Sequence, residues 1–205
     1  GDVYKRQATE DVTKAYAYKT ALALNADYSM VSVSGYGIIS GFTNDGNKIP
    51  EQTIPQYYDK LGFSYNKFAD SITVSETEWD FERYKPDIIV INLGTNDMNY
   101  ATTDERKAEF EDGYLDFLKK VRSLNPDSYI FQTYGVMGTS LEENIENVRR
   151  KYMSETGDER ITFIPLTMQD EYADGIVADW HPSPRTHSLV SQKVTAAIKE
   201  TLGYK

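Results

Sequence analysis

Residues Ile88-Ile89-Val90-Ile91-Asn92-Leu93-Gly94-Thr95-Asn96-Asp97 form an apolar, mostly β-branched run that stops at a glycine and hands over to Asn and Asp. With Pro86 just ahead of it, a run of this length and composition predicts a strand buried on both faces, as in a parallel sheet, ending in small polar groups. In open parallel sheets ligands sit in the crevice beyond the carboxyl ends of the strands, so Gly94, Asn96 and Asp97 would face one. Taken alone, G-x-N-D is as readily an Asx-type turn, and the rest of the chain has to decide.

The rest of the chain alternates. Acidic residues in a first turn, followed by apolar residues at helical spacing, predict a helix over 9–26 capped by Thr9. A short strand is expected at 28–33, closed by the permissive turn Ser34-Gly35-Tyr36-Gly37. An irregular connection follows, then a short amphipathic helix at 54–60, and 64–82 gives weak signals. After the central strand, Thr102 with Glu105 forms a capping box for a helix to about residue 124. A strand at 129–134 is closed by Gly135. Ser140 with Glu143 forms a second box for a helix to about 156, ended by Gly157. A last strand is expected at 161–166 and a closing helix at 187–202. Strands alternating with helices predict an α/β fold, a three-layer α/β/α sandwich with a parallel sheet, in one domain. Such units normally open on a strand, whereas this chain opens on a helix.

Composition narrows the partners. The 205 residues suit one domain with a sizeable core, and no window approaches the apolar length of a membrane span. A net charge of -10 opposes nucleic acid and anionic lipid surfaces. With no Cys there is neither a disulfide nor a thiol nucleophile. His181 and His187 are the only histidines, are not at metal-ligand spacing, and have no evident third ligand, so no metal is expected. There is no phosphate-loop motif, no G-x-S-x-G, and Gly35 to Gly41 has the wrong spacing for a dinucleotide loop.

Residues Asp2-Val3-Tyr4-Lys5-Arg6-Gln7 differ from the rest, with no apolar periodicity, cap or targeting pattern. The hexapeptide resembles the translation of a transposon-end sequence used in preparing sequencing libraries. Residues 1–7 are therefore read as non-native, with the natural sequence starting near Ala8 and extending upstream of what is present.

Three polar clusters remain: Gly35 with Gly37, Gly94 with Asn96, and Asp179 with His181. Together they resemble the SGNH hydrolases, also called GDSL esterases. Four stretches carry the resemblance in order: Glu10-Asp11-Val12-Thr13-Lys14-Ala15-Tyr16, Ser34-Gly35-Tyr36-Gly37-Ile38-Ile39-Ser40-Gly41, Ile91-Asn92-Leu93-Gly94-Thr95-Asn96-Asp97 and Ala178-Asp179-Trp180-His181-Pro182-Ser183. They are most similar to carbohydrate esterase family 2, the acetylxylan-type deacetylases, and the likeness runs from about Ala8 to the end.

The resemblance implies a flavodoxin-like sheet and a serine esterase removing acetyl groups from plant polysaccharide or oligosaccharide, without a cofactor. It casts Gly35 and Asn96 as oxyanion donors, Gly94 as supporting them, and His181 as the base. Many SGNH enzymes carry Asp three residues before the His. That position is Ala178 here, so either Asp179 or a backbone carbonyl orients His181. Trp180 either floors a sugar subsite or packs under its loop. His187, at the start of the last helix, reads as structural.

The family's nucleophile lies in a Gly-Asp-Ser block on a first strand, and Gly1-Asp2-Val3 does not supply it. No nucleophile is assigned in this chain, which is expected to be inactive by itself and to lack the strand that would fill an interior sheet position. The family further implies an upstream β-sandwich domain and secretion or display on a bacterial cell surface. Two other functions stay open: a non-catalytic glycan-binding module, and an SGNH lipase or thioesterase.

Overall fold

The computed structural model describes residues 11–63, 67–68 and 71–204. Thr9 and Glu10, the expected start of the first helix, and the whole of 1–7 lie outside the described residues. The helix itself is shorter than its pattern. A 3-10 turn, Val12–Lys14, is capped by Asp11, and after Ala15 the α-helix α1 covers Tyr16–Ala23. The connection carries a second 3-10 turn at Ile54–Gln56, in place of the longer helix expected there. A short antiparallel pair follows, β1 at Lys67–Phe68 and β2 at Ile72–Thr73.

Next come β3 (Ile88–Asn92), α2 (Asp104–Leu124), β4 (Tyr129–Tyr134), α3 (Glu142–Thr156), β5 (Ile161–Pro165) and α4 (Pro184–Leu202). The sheet has the order β3-β4-β5, and β3 runs parallel to β4 in the register Ile88 to Tyr129 through Asn92 to Thr133. Alternation of strand and helix thus produces the parallel α/β arrangement that the sequence pattern predicts.

Four expectations need correcting. Residues 28–33 form no strand: alternation makes a strand only where a neighbour takes up its backbone groups, none of the described strands pairs with this segment, and Tyr28 and Val31 are exposed. Nor is β3 buried on both faces. Among its residues only Ile91 is buried and Val90 is 38% exposed, because β3 ends the order of the described sheet. The interior strand is β4, buried from Ile130 to Tyr134. The N-cap of α2 is Thr103, not Thr102, with its hydroxyl accepting from Arg106 N at 3.3 Å. Finally, Ser140 does not cap α3. Leu141, fully buried, takes the cap position, and keeping that side chain in the core sets where the helix starts.

By contact the chain divides into two units. One comprises Val31–Tyr134 and Ser140–Phe163; the other takes the described parts of Gly1–Met30, Gly135–Thr139 and Ile164–Lys205. In the first, Phe110, Tyr114, Phe117, Leu118 and Val121 of α2 share a core with Ile130 and Tyr134 of β4 and Ile145, Val148 and Tyr152 of α3. Those spacings of three and four are the apolar stripe of a helix laid on a sheet. Arg122 closes one end of this core, pairing with Asp158 at 2.7 Å and donating to the carbonyls of Asn125, Ser128 and Arg160.

In the second unit α1 lies against α4. Lys19 Nζ donates to Ser188 Oγ at 2.6 Å, and Thr20 meets Ser191 at 3.3 Å. The main-chain N–H of Tyr16, one of the orphan donors of the first helical turn, finds His187 Nδ1 at 3.2 Å. His187 is therefore structural, as its position suggested, but as a cap on a different helix. Helix α4 begins three residues earlier than its apolar pattern, because Ser183 caps it through Thr186 N and Pro184 fits the first helical position.

Candidate active site

One cluster of candidate residues belongs to the sheet unit. Beyond the carboxyl end of β3, Gly94 turns the chain with φ +120°, and its carbonyl accepts from Asp97 N and Met98 N, both at 3.1 Å. A Cβ on Gly94 would meet Tyr134 Cε2 at 3.1 Å, Phe110 Cζ at 3.3 Å and Ile145 Cδ1 at 3.4 Å. Glycine is thus required twice, by a backbone conformation that L side chains rarely adopt and by close approach to the core. What it lets come close is the core itself.

This turn sends out two neighbouring side chains, and both dock on one loop. Asn96 Nδ2 donates to the carbonyl of Tyr36 at 2.8 Å. Asp97, with none of its surface exposed, accepts from Ile38 N (3.0 and 2.9 Å to its two oxygens), Ile39 N (2.8 Å) and Ser40 N (3.1 Å). Burial pushes the Asp97 carboxyl above its ordinary range, while the three N–H donors pull the other way. Gly35, at φ +79°, heads the loop; a Cβ there would meet open space, so only its conformation calls for glycine. The structure brings Gly35, Asn96 and Gly94 into one unit, joined through Tyr36 and Asp97. Sequence pattern places Asp97 at the ligand crevice and says nothing of Tyr36, whose part is played by a main-chain carbonyl. Asp97 holds a turn, but one that begins 59 residues away at Ile38.

Ser40, the other serine of the glycine block with Ser34, is fully buried. Its hydroxyl donates to Gly41 O at 3.0 Å and accepts from Ile49 N at 2.9 Å. Those bonds give it a structural task.

A second cluster of candidate residues lies in the other unit, on the 3-10 turn Ala178–Trp180 and His181. Asp179 and Trp180 are both left-handed, with φ +55° and +63°. Two consecutive non-glycine residues in that region store strain, which persists only where surrounding contacts hold it. The contacts are present: Gln169 Nε2 donates to Trp180 O at 2.7 Å, Val177 N to His181 O at 2.9 Å, and Ser183 Oγ to Asp174 O at 2.6 Å.

His181 is exposed, and its Nδ1 lies 3.1 Å from the carbonyl oxygen of Ala178. That geometry suits the tautomer with hydrogen on Nδ1, which leaves Nε2 able to take a proton. Among the described residues Asp179 makes no hydrogen bond to His181; of the two alternatives the sequence leaves open, it is the main-chain oxygen that meets the ring. No side-chain signal could have named Ala178, since the acceptor is backbone. Trp180 is 61% exposed, so it does not pack under the loop. Among the described residues no group of three or more His, Cys, Asp or Glu is placed to hold a metal ion, and no helix is long and apolar enough to cross a membrane.

A parallel α/β sheet whose strand ends carry these polar turns is the SGNH-hydrolase fold, and solved structures bear this out. An acetyl xylan esterase (Est2A) from the rumen bacterium Butyrivibrio proteoclasticus superposes with a TM-score of 0.84 at 27% identity, over 95% of this chain and 56% of that one. The family model of the GDSL-like Lipase/Acylhydrolase family matches residues 10–189, and the chain belongs to that family. Among curated relatives, the Cellulase/esterase CelE of Acetivibrio thermocellus is 32% identical over 204 residues, 95% of this chain and 22% of the relative. A family two carbohydrate esterase from Clostridium thermocellum, solved in complex with cellohexaose, matches at 31% identity and a TM-score of 0.78, over 96% of this chain and 56% of that one. The chain spans little more than half of those solved relatives and under a quarter of CelE.

Proposed function

We propose that this chain carries the oxyanion-binding and histidine parts of a carbohydrate O-acetyl esterase acting on acetylated xylan or a related plant polysaccharide. The observation that carries the proposal is the Asn96 carboxamide, held by the Tyr36 carbonyl through one of its two N–H groups. The second N–H remains for a developing oxyanion. The esterase names of the relatives supply the substrate class.

In this mechanism a serine Oγ bonds to the acetyl carbonyl carbon while His181 Nε2 takes the serine proton. The carbonyl π electrons move to oxygen, where the Gly35 N–H and the Asn96 amide donate. Collapse breaks the bond to the sugar oxygen, which leaves with the proton held by His181. Water, deprotonated by the same imidazole, then releases acetate and regenerates the serine. Through these steps the Ala178 carbonyl holds Nδ1–H and steadies the imidazolium, so the arrangement is a Ser-His dyad oriented by backbone, and Asp179 is not needed as a third member. Trp180 offers an exposed ring to the apolar face of a sugar.

Ser40 is tied into its loop and is not cast as the attacking serine; the proposal assigns that role to the Gly-Asp-Ser block that the family resemblance implies. An upstream β-sandwich domain and export to the polysaccharide outside the cell are parts of the same proposal. The test compares the 205-residue chain with the whole gene product on an aryl acetate and on acetylxylan. Release of acetate by the gene product and not by the chain is expected. Hydrolysis by the chain alone, or none by either, would overturn the proposal. A glycan-binding role is favoured by one observation, the cellohexaose held by a solved relative. Retardation on a glycan-loaded gel by a gene product that releases no acetate would select it.

A further inference from the structure

Asp97 is a fully buried carboxylate that the mechanism above does not use. It sits beside Asn96 in sequence, and it holds the loop from which the Tyr36 carbonyl holds Asn96. The room for it comes from Gly37. A Cβ on that glycine would lie 2.4 Å from Asp97 Oδ2, 2.7 Å from Asp97 Cγ and 2.2 Å from Ser40 O. The loop is also pinned from its other side, where Gly37 N donates to Gln52 O at 3.2 Å and Ile54 N to Gly37 O at 2.9 Å. The loop therefore has fixed ends and a buried anion at its centre, and its carbonyl at Tyr36 aims the Asn96 amide.

We propose that Asp97 is a positioning residue for the oxyanion donors: by gathering the N–H groups of Ile38, Ile39 and Ser40 it fixes the loop that carries Gly35 and Tyr36, and through Tyr36 the orientation of Asn96. The proposal rests on the oxyanion role of Asn96 given above. Physically, an oxyanion donor stabilises the transition state only when it needs no reorganisation as charge develops. A carboxamide aimed by a mobile carbonyl would lose that advantage, whereas three N–H groups on one desolvated carboxylate make charge-assisted bonds that hold the carbonyl still.

The substitution Asp97→Asn separates this from a merely structural role. An Asn Oδ1 can retain the bonds to Ile39 and Ser40, but its amide nitrogen would then face Ile38 N, at the 2.9 Å now spanned by Asp97 Oδ2. The loop is expected to loosen without loss of the fold. In the whole gene product Asp97→Asn should lower kcat about 10- to 100-fold, somewhat less than outright loss of one oxyanion donor, and leave KM within about twofold. On an Asn96→Ala background the same change should cost clearly less than it does alone, because only Gly35 is left for it to position. Asp97→Ser, which removes the carboxylate without adding bulk, should reproduce the kcat loss if Asp97→Asn fails to fold.

Full activity in Asp97→Asn, or losses that multiply with those of Asn96→Ala, would overturn the proposal. If the wild-type gene product hydrolyses no acetyl ester, the esterase reading fails by itself. Hydrogen exchange then decides the positioning: faster exchange of the peptide spanning 36–42 in Asp97→Asn upholds it, and unchanged exchange sinks it.

Discussion

The two halves of the proposed chemistry rest on clusters built in opposite ways. Around Asn96 polar groups brace one another: a buried carboxylate holds a loop, and the loop holds the amide. Around His181 the turn is exposed, its backbone is left-handed at two successive residues, and one main-chain oxygen meets the ring. The difference follows the chemistry each half would do. Oxyanion donors must be rigid before charge appears, and their cost is met by burial in the sheet unit. A proton carrier must reach donor and acceptor in turn and exchange with water, which suits an exposed loop under local strain.

The largest expected effect breaks the exposed half. His181→Ala should reduce kcat of the whole gene product on an aryl acetate about ten-thousand-fold or more, since no other group takes the proton. Loss of less than tenfold would remove His181 from the mechanism. Next, Asn96→Ala should cost about 3 kcal/mol of transition-state stabilisation with KM little changed, the effect of one lost oxyanion donor. An unchanged kcat would refute the role.

The comparison is sharpened by Asp179→Asn. If the Ala178 carbonyl orients His181, kcat should stay within about threefold; a fall of about ten-thousand-fold, as when a triad carboxylate is neutralised, would restore Asp179 as the orienting group. The smallest effect concerns stability. Burial, with the charges of Lys19 and His181, holds the His187 imidazole below its ordinary 6.5, and its Nδ1 must be unprotonated to accept from Tyr16 N. The unfolded chain therefore binds the proton more readily than the folded one. Stability contributed by His187 is present above pH 6.5 and declines as pH falls toward the folded value. Thermal melts between pH 7.5 and 5 should show a Tm loss that is smaller in His187→Gln; parallel slopes for the two proteins would contradict this.

Much of this was legible in the order of residues. Helix α2 showed its apolar stripe and its stop at Asn125-Pro126, and Gly157 and Gly135 marked where α3 and β4 end. The Asn96 position stood out because small polar residues follow an apolar run, and His181 because it is one of two histidines and is followed by Pro182 and Pro184. Segment 28–33 was misread because alternation describes one strand and a sheet needs two. The caps of α2 and α3 were each misplaced by one residue, since local capping preference is outweighed by which side chain the core takes, Leu141 above all.

The chain's residue order by itself determined the α/β class, the glycines needed at left-handed turns, and the residue types able to do acyl-transfer chemistry, because these depend on neighbours within a few positions. Only the tertiary structure decided what holds them. Asp97 reaching a loop 59 residues distant, Gly37 making room for its carboxylate, and a main-chain oxygen of Ala178, rather than Asp179, meeting the His181 ring all depend on contacts that local pattern does not encode. Backbone carbonyls look alike in every sequence, and only the fold brings one of them to a histidine.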